Sequence, residues 1–256
     1  MKKGIIFAII VLAVAAISGF AFFQSAEAAS DDVIRIATDA TWPPFEMVDE
    51  ESKELTGFDI ELVNAIAEVE DLKVEFVNVA FDAVIAGLSQ CQYDAGASGI
   101  SITDERKETM LFSDPYYAVG QIMSINEGVT GLVNKEDFKG KTIGAQTGTT
   151  GALMAQEWEE EGLVTYKGYD TIDLAFMDLK NKQINAVLTD NTVAEGYVNS
   201  LGGLQTTGEL YSSEDLGFAF CKKETDLQAK FNDALKKLKE SGKIDELVKK
   251  YFAVAE

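Results

Sequence analysis

The 256-residue chain has no histidine, only two cysteines and three prolines, and just 22 Lys+Arg against 43 Asp+Glu. Without histidine there is no Ser-His-Asp or Cys-His nucleophile pair and no histidine-ligated zinc shell, so any proton chemistry would fall to carboxylates, lysine or tyrosine. A formal charge of -21 argues against nucleic acid and anionic membrane surfaces as partners, because binding phosphates needs clustered cations that release counterions. Neutral or cationic ligands suit such a chain better. The prolines are Pro43, Pro44 and Pro115; no Pro-, Ser- or Gly-rich linker divides the chain, so any lobes must be joined by ordered segments. Cys91 and Cys221 are compatible with one disulfide in an exported protein, or with two buried thiols acting as small apolar residues.

Apolar material is plentiful: 46% of residues are hydrophobic and 10% aromatic. That supports either one large domain or two lobes of roughly 100 residues each. The N-terminus reads as an address. Lys2 and Lys3 precede an uncharged run from Gly4 to Phe23, and Ala26-Glu27-Ala28 offers small residues for cleavage, so residues 1–28 are expected to be a signal peptide. The run is also long enough to span a bilayer as an uncleaved N-terminal anchor. No cysteine stands near the cleavage point to take a lipid. The expected location is therefore periplasmic or extracellular, free or tethered. Without that segment the chain keeps 20 positive and 42 negative side chains.

Beyond residue 32, β-type runs alternate with amphipathic ones, the pattern of an α/β fold. Strands are expected at 33–38, 74–79 and 94–98, with helices at 58–70 and 82–90 between them. After Pro115-Tyr116-Tyr117 the layout restarts, with strands at 141–145, 164–167 and 185–189 and helices at 149–161 and 170–180. A long helix begins at Thr225, which with Gln228 has capping-box spacing. Its stripe of Leu227, Phe231, Leu235 and Leu238 runs until Ser241-Gly242. A short helix carrying Ile244, Leu247, Val248 and Phe252 follows.

Ligand sites in α/β sheets lie beyond the carboxyl ends of strands. After the first strand, Asp39 and Trp42 offer an acid for a ligand donor and a flat wall, or else Asp39 caps a turn. After the second comes Phe81, a wall or a core residue. After the third, Ser98-Gly99-Ile100-Ser101 allows close backbone approach, and Arg106 can fork a carboxylate or balance Asp104 or Glu105. Gly144-Ala145-Gln146-Thr147-Gly148-Thr149-Thr150-Gly151 opens a helix whose free N–H groups suit a carboxylate. It lacks both the P-loop and the dinucleotide fingerprint. Asp190 ends a strand, suited to an ammonium or to helix capping. Together these groups match a zwitterionic amino acid.

Thr38-Asp39 with Pro44-Phe45, Gly57-Phe58-Asp59, Ser101-Ile102-Thr103-Asp104-Glu105-Arg106, Phe112-Ser113-Asp114-Pro115-Tyr116-Tyr117, Gly140-Lys141-Thr142-Ile143-Gly144 and Thr189-Asp190 resemble, in order, a known family. It is that of the extracellular amino-acid-binding proteins of ABC importers, family 3 solute-binding proteins, which includes arginine, lysine, histidine and glutamine binders. The resemblance covers residues 32–252. It implies a two-lobed periplasmic-binding-protein-like (type II) fold with the ligand cleft between lobes. Lobe 1 would be 32–115 plus 217–256, lobe 2 would be 121–211, and the hinge segments would be 116–120 and 212–216. A monomer without cofactor or metal is expected, with an L-amino acid and the importer's membrane subunits as partners.

Carried over by position, Arg106 would hold the ligand α-carboxylate with backbone N–H groups at Ser101 and Thr150, in the Ser98 and Thr149 segments. Asp190 would take the α-ammonium with the Gly99 carbonyl and the Ser101 hydroxyl. Trp42 and Phe81 would sandwich the side chain, and Asp39 and Gln146 would face its far end. Closure about the hinge would present the liganded state to the importer. Cys91 and Cys221 would fall in one lobe at the ends of neighbouring strands; a bond there would stabilise by about 4 to 5 kcal/mol on the chain-entropy view.

Resemblance to glutamine binders implies Lys at 146 and His at 189, where this chain has Gln146 and Thr189; both stretches look more like arginine binders. Arginine or another cationic amino acid is the expected ligand, glutamine the alternative. An enzyme on the same scaffold, cyclohexadienyl/arogenate dehydratase, would need a catalytic Glu where Val193 stands and would lack the acid Asp39, so no enzymatic activity is expected.

Overall fold

A computed structural model describes residues 33–252. The expected signal segment, residues 1–28, lies outside the described residues. Strand β1 (Ile34–Thr38) is buried from Ile36 onward, as befits a central strand with neighbours on both sides. The chain leaves it at Asp39 for a small antiparallel sheet of β2 (Thr41–Trp42), β3 (Glu46–Val48) and β4 (Leu55–Thr56). Helix α1 (Phe58–Val69) then starts at Gly57, whose φ is 127° and where a Cβ would sit 2.2 Å from the Phe45 carbonyl oxygen. Only glycine lets this helix begin against the β2–β3 loop. There follow β5 (Val74–Asn78), α2 (Phe81–Ser89), β6 (Ala95–Gly96), α3 (Asp104–Thr109) and β7 (Met110–Phe112).

The chain crosses once through β8 (Tyr117–Val119) and builds a second body. It consists of β9 (Gln121–Asn126), a 3-10 turn (Lys135–Phe138), β10 (Thr142–Gln146), α4 (Thr150–Glu160), β11 (Thr165–Tyr169), α5 (Ile172–Lys180), β12 (Ala186–Asp190), α6 (Asn191–Leu201) and β13 (Leu204–Thr207). It returns through β14 (Glu214–Leu216), antiparallel to β8, and ends with β15 (Ala219–Cys221), α7 (Thr225–Glu240) and α8 (Lys243–Phe252).

The two main sheets, β5-β1-β6-β15-β7 and β11-β10-β12-β9-β13, repeat one plan: three parallel strands, then two antiparallel additions. The molecule is a two-lobed α/β fold. In lobe 1, Phe58, Leu62 and Ile66 of α1 and Phe231 and Leu235 of α7 pack in one core, while Phe81, Val84 and Leu88 of α2 fill the other face. Each fully buried side chain of this size contributes about 1.5–3 kcal/mol. Cys91, after α2, and Cys221, ending β15, are joined in a disulfide, with Cα atoms 4.9 Å apart.

One expectation needs amending, and several elements were not anticipated. The Thr225–Gln228 capping box does not form: Glu224 is the N-cap and makes no side-chain cap bond, and the Gln228 amide instead donates to the Phe112 carbonyl on edge strand β7. A tertiary acceptor has drawn the side chain away from the local N–H that it would have accepted from. The β2–β4 sheet and α3 were unanticipated because two- and three-residue strands and a six-residue helix are too short to display a period. Helix α6 follows β12 without a break, and only Val193 and Ala194 of its eleven residues are buried, so its apolar stripe is faint.

Candidate functional site

The carboxyl ends of the strands of the two sheets face each other across a narrow cleft. From lobe 1, Asp39 enters just beyond β1 and is 3% exposed. One of its oxygens accepts from the Thr41 hydroxyl at 2.8 Å. The other accepts from the Phe81 N–H at 3.0 Å and from Gln146 Nε2 at 2.6 Å, across the cleft. Asp39 thus satisfies a free donor in the first turn of α2, far along the chain, and it faces the cleft.

Arg106 sits in the first turn of α3, where the Thr103 hydroxyl accepts from its N–H at 3.1 Å. Its guanidinium donates to the Ser101 carbonyl at 2.9 Å and, across the cleft, to the Gly148 carbonyl at 3.0 Å; it lies 5.5 Å from the centre of the Phe81 ring. Asp104 pairs with Lys107 and not with Arg106, whereas Glu105 is near enough to favour the guanidinium charge. Gly99, at φ 51°, packs against Trp42, with a Cβ there only 2.9 Å from the indole.

From lobe 2, Gln146 ends β10, and its amide also donates to the Asp170 carbonyl at 2.9 Å. Thr149 caps α4 by accepting from the Ala152 N–H at 3.1 Å. The Thr150 hydroxyl donates to Glu214 at 2.7 Å. Asp190 ends β12, 3% exposed, and accepts from the Gln121 amide.

Trp42, Phe81, Gly99, Ser101, Arg106, Thr149, Thr150 and Asp190 line one cavity of about 10 Å³. Asp39 and Gln146 bond to each other across the cleft, and Ser98 lies behind Asp39, accepting from its N–H at 3.0 Å. The space would hold about one water, far less than a molecule of amino-acid size needs. A third bond across the cleft, from the Tyr197 hydroxyl to the Thr41 carbonyl at 2.9 Å, joins α6 to β2.

Burial sets the electrostatics. It pushes the Asp190 carboxyl up to about 7, with Glu214 adding to the rise, while Gln121, the nearby Trp42 indole and Arg106 oppose it. Burial also raises Asp39, against the bonds from Thr41, Gln146 and Phe81. It lowers Arg106, against the pull of Glu214 and Asp190. With Asp190 and Glu214 acting on one guanidinium and Asp39 in the same cleft, the cleft favours a guest that carries more positive than negative charge.

Sequence reasoning missed Gln121, Glu214, Glu46, Asp59 and Tyr116. Gln121 and Glu214 lie at the crossings, where no period or motif marks them. Asp59 stands within a quoted motif and Glu46 directly follows another, yet nothing local distinguishes a buried acid from a surface one.

Residues 34–254 match the sequence profile of the bacterial extracellular solute-binding proteins, family 3. The lysine/arginine/ornithine-binding periplasmic protein of Escherichia coli (strain K12) is 32% identical over 261 aligned residues, covering 98% of this chain and 97% of its own. An ancestral arginine-binding protein solved with arginine is 38% identical with a TM-score of 0.83, covering 86% of this chain and 98% of its own. The same description, solved with glutamine, gives 38% and 0.80 over 87% and 98%. The arginine-, lysine-, histidine-binding protein ArtJ of Geobacillus stearothermophilus is 37% identical with a TM-score of 0.80, covering 88% and 97%.

Proposed function

This chain belongs to the bacterial extracellular solute-binding proteins of family 3, and from that premise we propose that it captures a free cationic L-amino acid, arginine first, and delivers it to an ABC importer. Membership makes it a binder acting outside the cytoplasm; among the described residues, no helix is long and apolar enough to cross a membrane. Residues 1–28 act as its export signal. Lobe 1 comprises 32–115 and 217–256, lobe 2 comprises 121–211, and the paired crossings are the hinge.

One observation carries the reading: two buried acids share the cleft with a buried Arg106, Asp190 lining the same cavity as the guanidinium and Asp39 bonded to Gln146 across the cleft. That set fits a molecule with a carboxylate and an ammonium at one end and a second cation at the other. Arg106 takes the α-carboxylate with N–H groups at Ser101 and Thr150. Asp190 and the Gly99 carbonyl take the α-ammonium. Trp42 and Phe81 flank the aliphatic stem, and the guanidinium replaces the Gln146 amide on Asp39. The ligand then bridges both lobes, and the closed form is what the importer reads.

A Glu three residues past Asp190, which a dehydratase on this scaffold would need, is replaced by Val193, fully buried in the apolar core. Glutamine is the second reading, favoured by the relative solved with that ligand. Calorimetry of the chain against the common amino acids, after unfolding and refolding to strip carried-over ligand, decides between them. Arginine or lysine should bind most tightly. Binding by none would refute the assignment, and glutamine binding above arginine would replace the ligand.

A further inference from the structure

Behind the cleft, lobe 1 holds two acids that the binding scheme does not use. Glu46, on β3, and Asp59, in the first turn of α1, are both fully buried, and neither pairs with a described lysine or arginine. They are neighbours: a Cβ on Gly57 would lie 2.8 Å from the Glu46 Cα, and the Asp59 N–H donates to the Phe45 carbonyl at 2.8 Å. Each has one engaged oxygen. Glu46 Oε1 accepts from the Ser98 hydroxyl at 2.8 Å; Asp59 Oδ2 accepts from the Gly99 N–H at 3.0 Å and the Tyr116 hydroxyl at 2.7 Å. Each also has one buried oxygen without a partner, Glu46 Oε2 and Asp59 Oδ1.

Two adjacent buried carboxylates without a cation cannot both stay ionised, and a proton between them would satisfy an unpartnered oxygen on each. We propose that Glu46 and Asp59 share one proton and, as that pair, position the Ser98–Gly99 turn and Tyr116. The turn supplies the carbonyl assigned above to the ligand ammonium, so the positioning role rests on the proposed function, whereas the shared proton does not. Through Ser98, which also accepts from the Asp39 N–H at 3.0 Å, the pair braces the Asp39 backbone. Through Tyr116 it reaches the segment leading into β8, so one polar cluster ties both ligand-facing parts of lobe 1 to the hinge.

The titratable groups facing the pair are Asp39 beyond β1, Asp190 of lobe 2 and the Tyr116 hydroxyl, none of which supplies positive charge. On the outer face of α1, Glu61 is engaged by Lys250 and Tyr251 of α8. Burial pushes Asp59 up to about 7, and burial together with Asp59 raises Glu46 well above the usual carboxylate range.

The test has two arms, both on the full chain. In the first, carbon-13 resonances of side-chain carboxyls are followed against pH. One of the two acids should stay protonated at pH 7, and Glu46→Gln, which offers a fixed N–H in place of the proton, should move the Asp59 titration to lower pH. Thermal unfolding in an Asp190→Asn background should lose up to tenfold in folding equilibrium per pH unit as pH rises from 5 to 7. Adding Glu46→Gln should make that slope shallower. Two acids ionising together in the ordinary range, or an unchanged slope, would overturn the shared proton.

In the second arm, Asp59→Asn, which keeps an acceptor for Gly99 and Tyr116, should hold arginine affinity within about threefold. Asp59→Ala should lose at least tenfold. Equal affinities would overturn the positioning role, and if the alanine variant fails to fold, a tenfold loss in the asparagine variant would overturn it instead. Absence of any amino-acid binding by the unaltered chain would count against the proposed function and leave the first arm standing.

Discussion

The two lobes share a strand order but bury their cleft-facing acids in different ways. In lobe 1, Asp39 is provided for: a hydroxyl, a backbone N–H and an amide all donate to it. In lobe 2, Asp190 is held by the Gln121 amide and stands close to a second acid, Glu214. A carboxylate already surrounded by donors gains little from one more, since an incoming cation must first displace an existing partner. A carboxylate short of donors gains the full value of a paired charge. The Asp190 end should therefore supply strength and the Asp39 end discrimination.

The largest effect is expected where both ends depend on one group. Arg106 is the cation among the cavity-lining residues, and its bonds to Ser101 and Gly148 tie lobe 1 to the lobe 2 loop. Arg106→Ala should weaken arginine at least 100-fold by calorimetry and leave a cooperative thermal transition. Retained affinity would remove Arg106 from the site. Next is Asp190→Asn, for which loss of a buried charge pair is worth about 3 kcal/mol or more, roughly 100-fold. The same variant should raise the melting temperature of the ligand-free protein at pH 7. An acid whose folded pKa is raised binds a proton that the unfolded chain has released, so stability falls as pH rises through the interval from the ordinary carboxylate value to about 7. A variant that binds poorly and is also less stable would mean that Asp190 is structural.

The pH profile of binding sharpens the same contrast. Below about 7, a ligand ammonium must expel the Asp190 proton, so arginine affinity should drop by up to tenfold per pH unit as the medium becomes more acidic. Asp190→Asn should flatten that limb, and Asp39→Asn should leave it in place. An acid limb that disappears with Asp39 instead would invert the assignment of the two ends.

How far this contrast was legible beforehand depends on the range of the forces involved. The α/β alternation and the positions of Asp39 and Asp190 at strand ends were readable, because period and chain direction are local properties; Arg106 was readable only as following the third strand, and the short α3 that carries it was not. The contacts Asp39–Gln146 and Gln121–Asp190 join residues 107 and 69 positions apart, and only the folded cleft decides which acid finds donors. The same holds for Glu46 and Asp59, whose burial depends on the Gly57 turn bringing α1 onto the β2–β3 loop. Gln228 gives the converse case: its spacing from Thr225 suggested a local cap, and a carbonyl 116 residues away took the amide.

The smallest expected effect is the most diagnostic of discrimination. In Asp39→Asn, the shape of the far end survives and the one remaining carbonyl oxygen can still accept from the Phe81 N–H, with the Thr41 hydroxyl accepting from the new amide, while the negative charge is lost. A guanidinium or ammonium loses a charge-assisted bond worth about 1.5–3 kcal/mol, whereas a neutral amide loses a bond worth about 0.5–1.5 kcal/mol. Arginine should therefore weaken by about tenfold or more and glutamine by less than that, narrowing the ratio of their affinities. Because Gln146 can rotate to meet an amide as well as an acid, Gln146→Ala should shift the ratio the other way. It frees Asp39 for a cation and removes a partner suited to glutamine. Opposite shifts in the two variants would identify Asp39 and Gln146 as the selective pair. Equal losses for arginine and glutamine in Asp39→Asn would instead assign Asp39 to capping α2 alone.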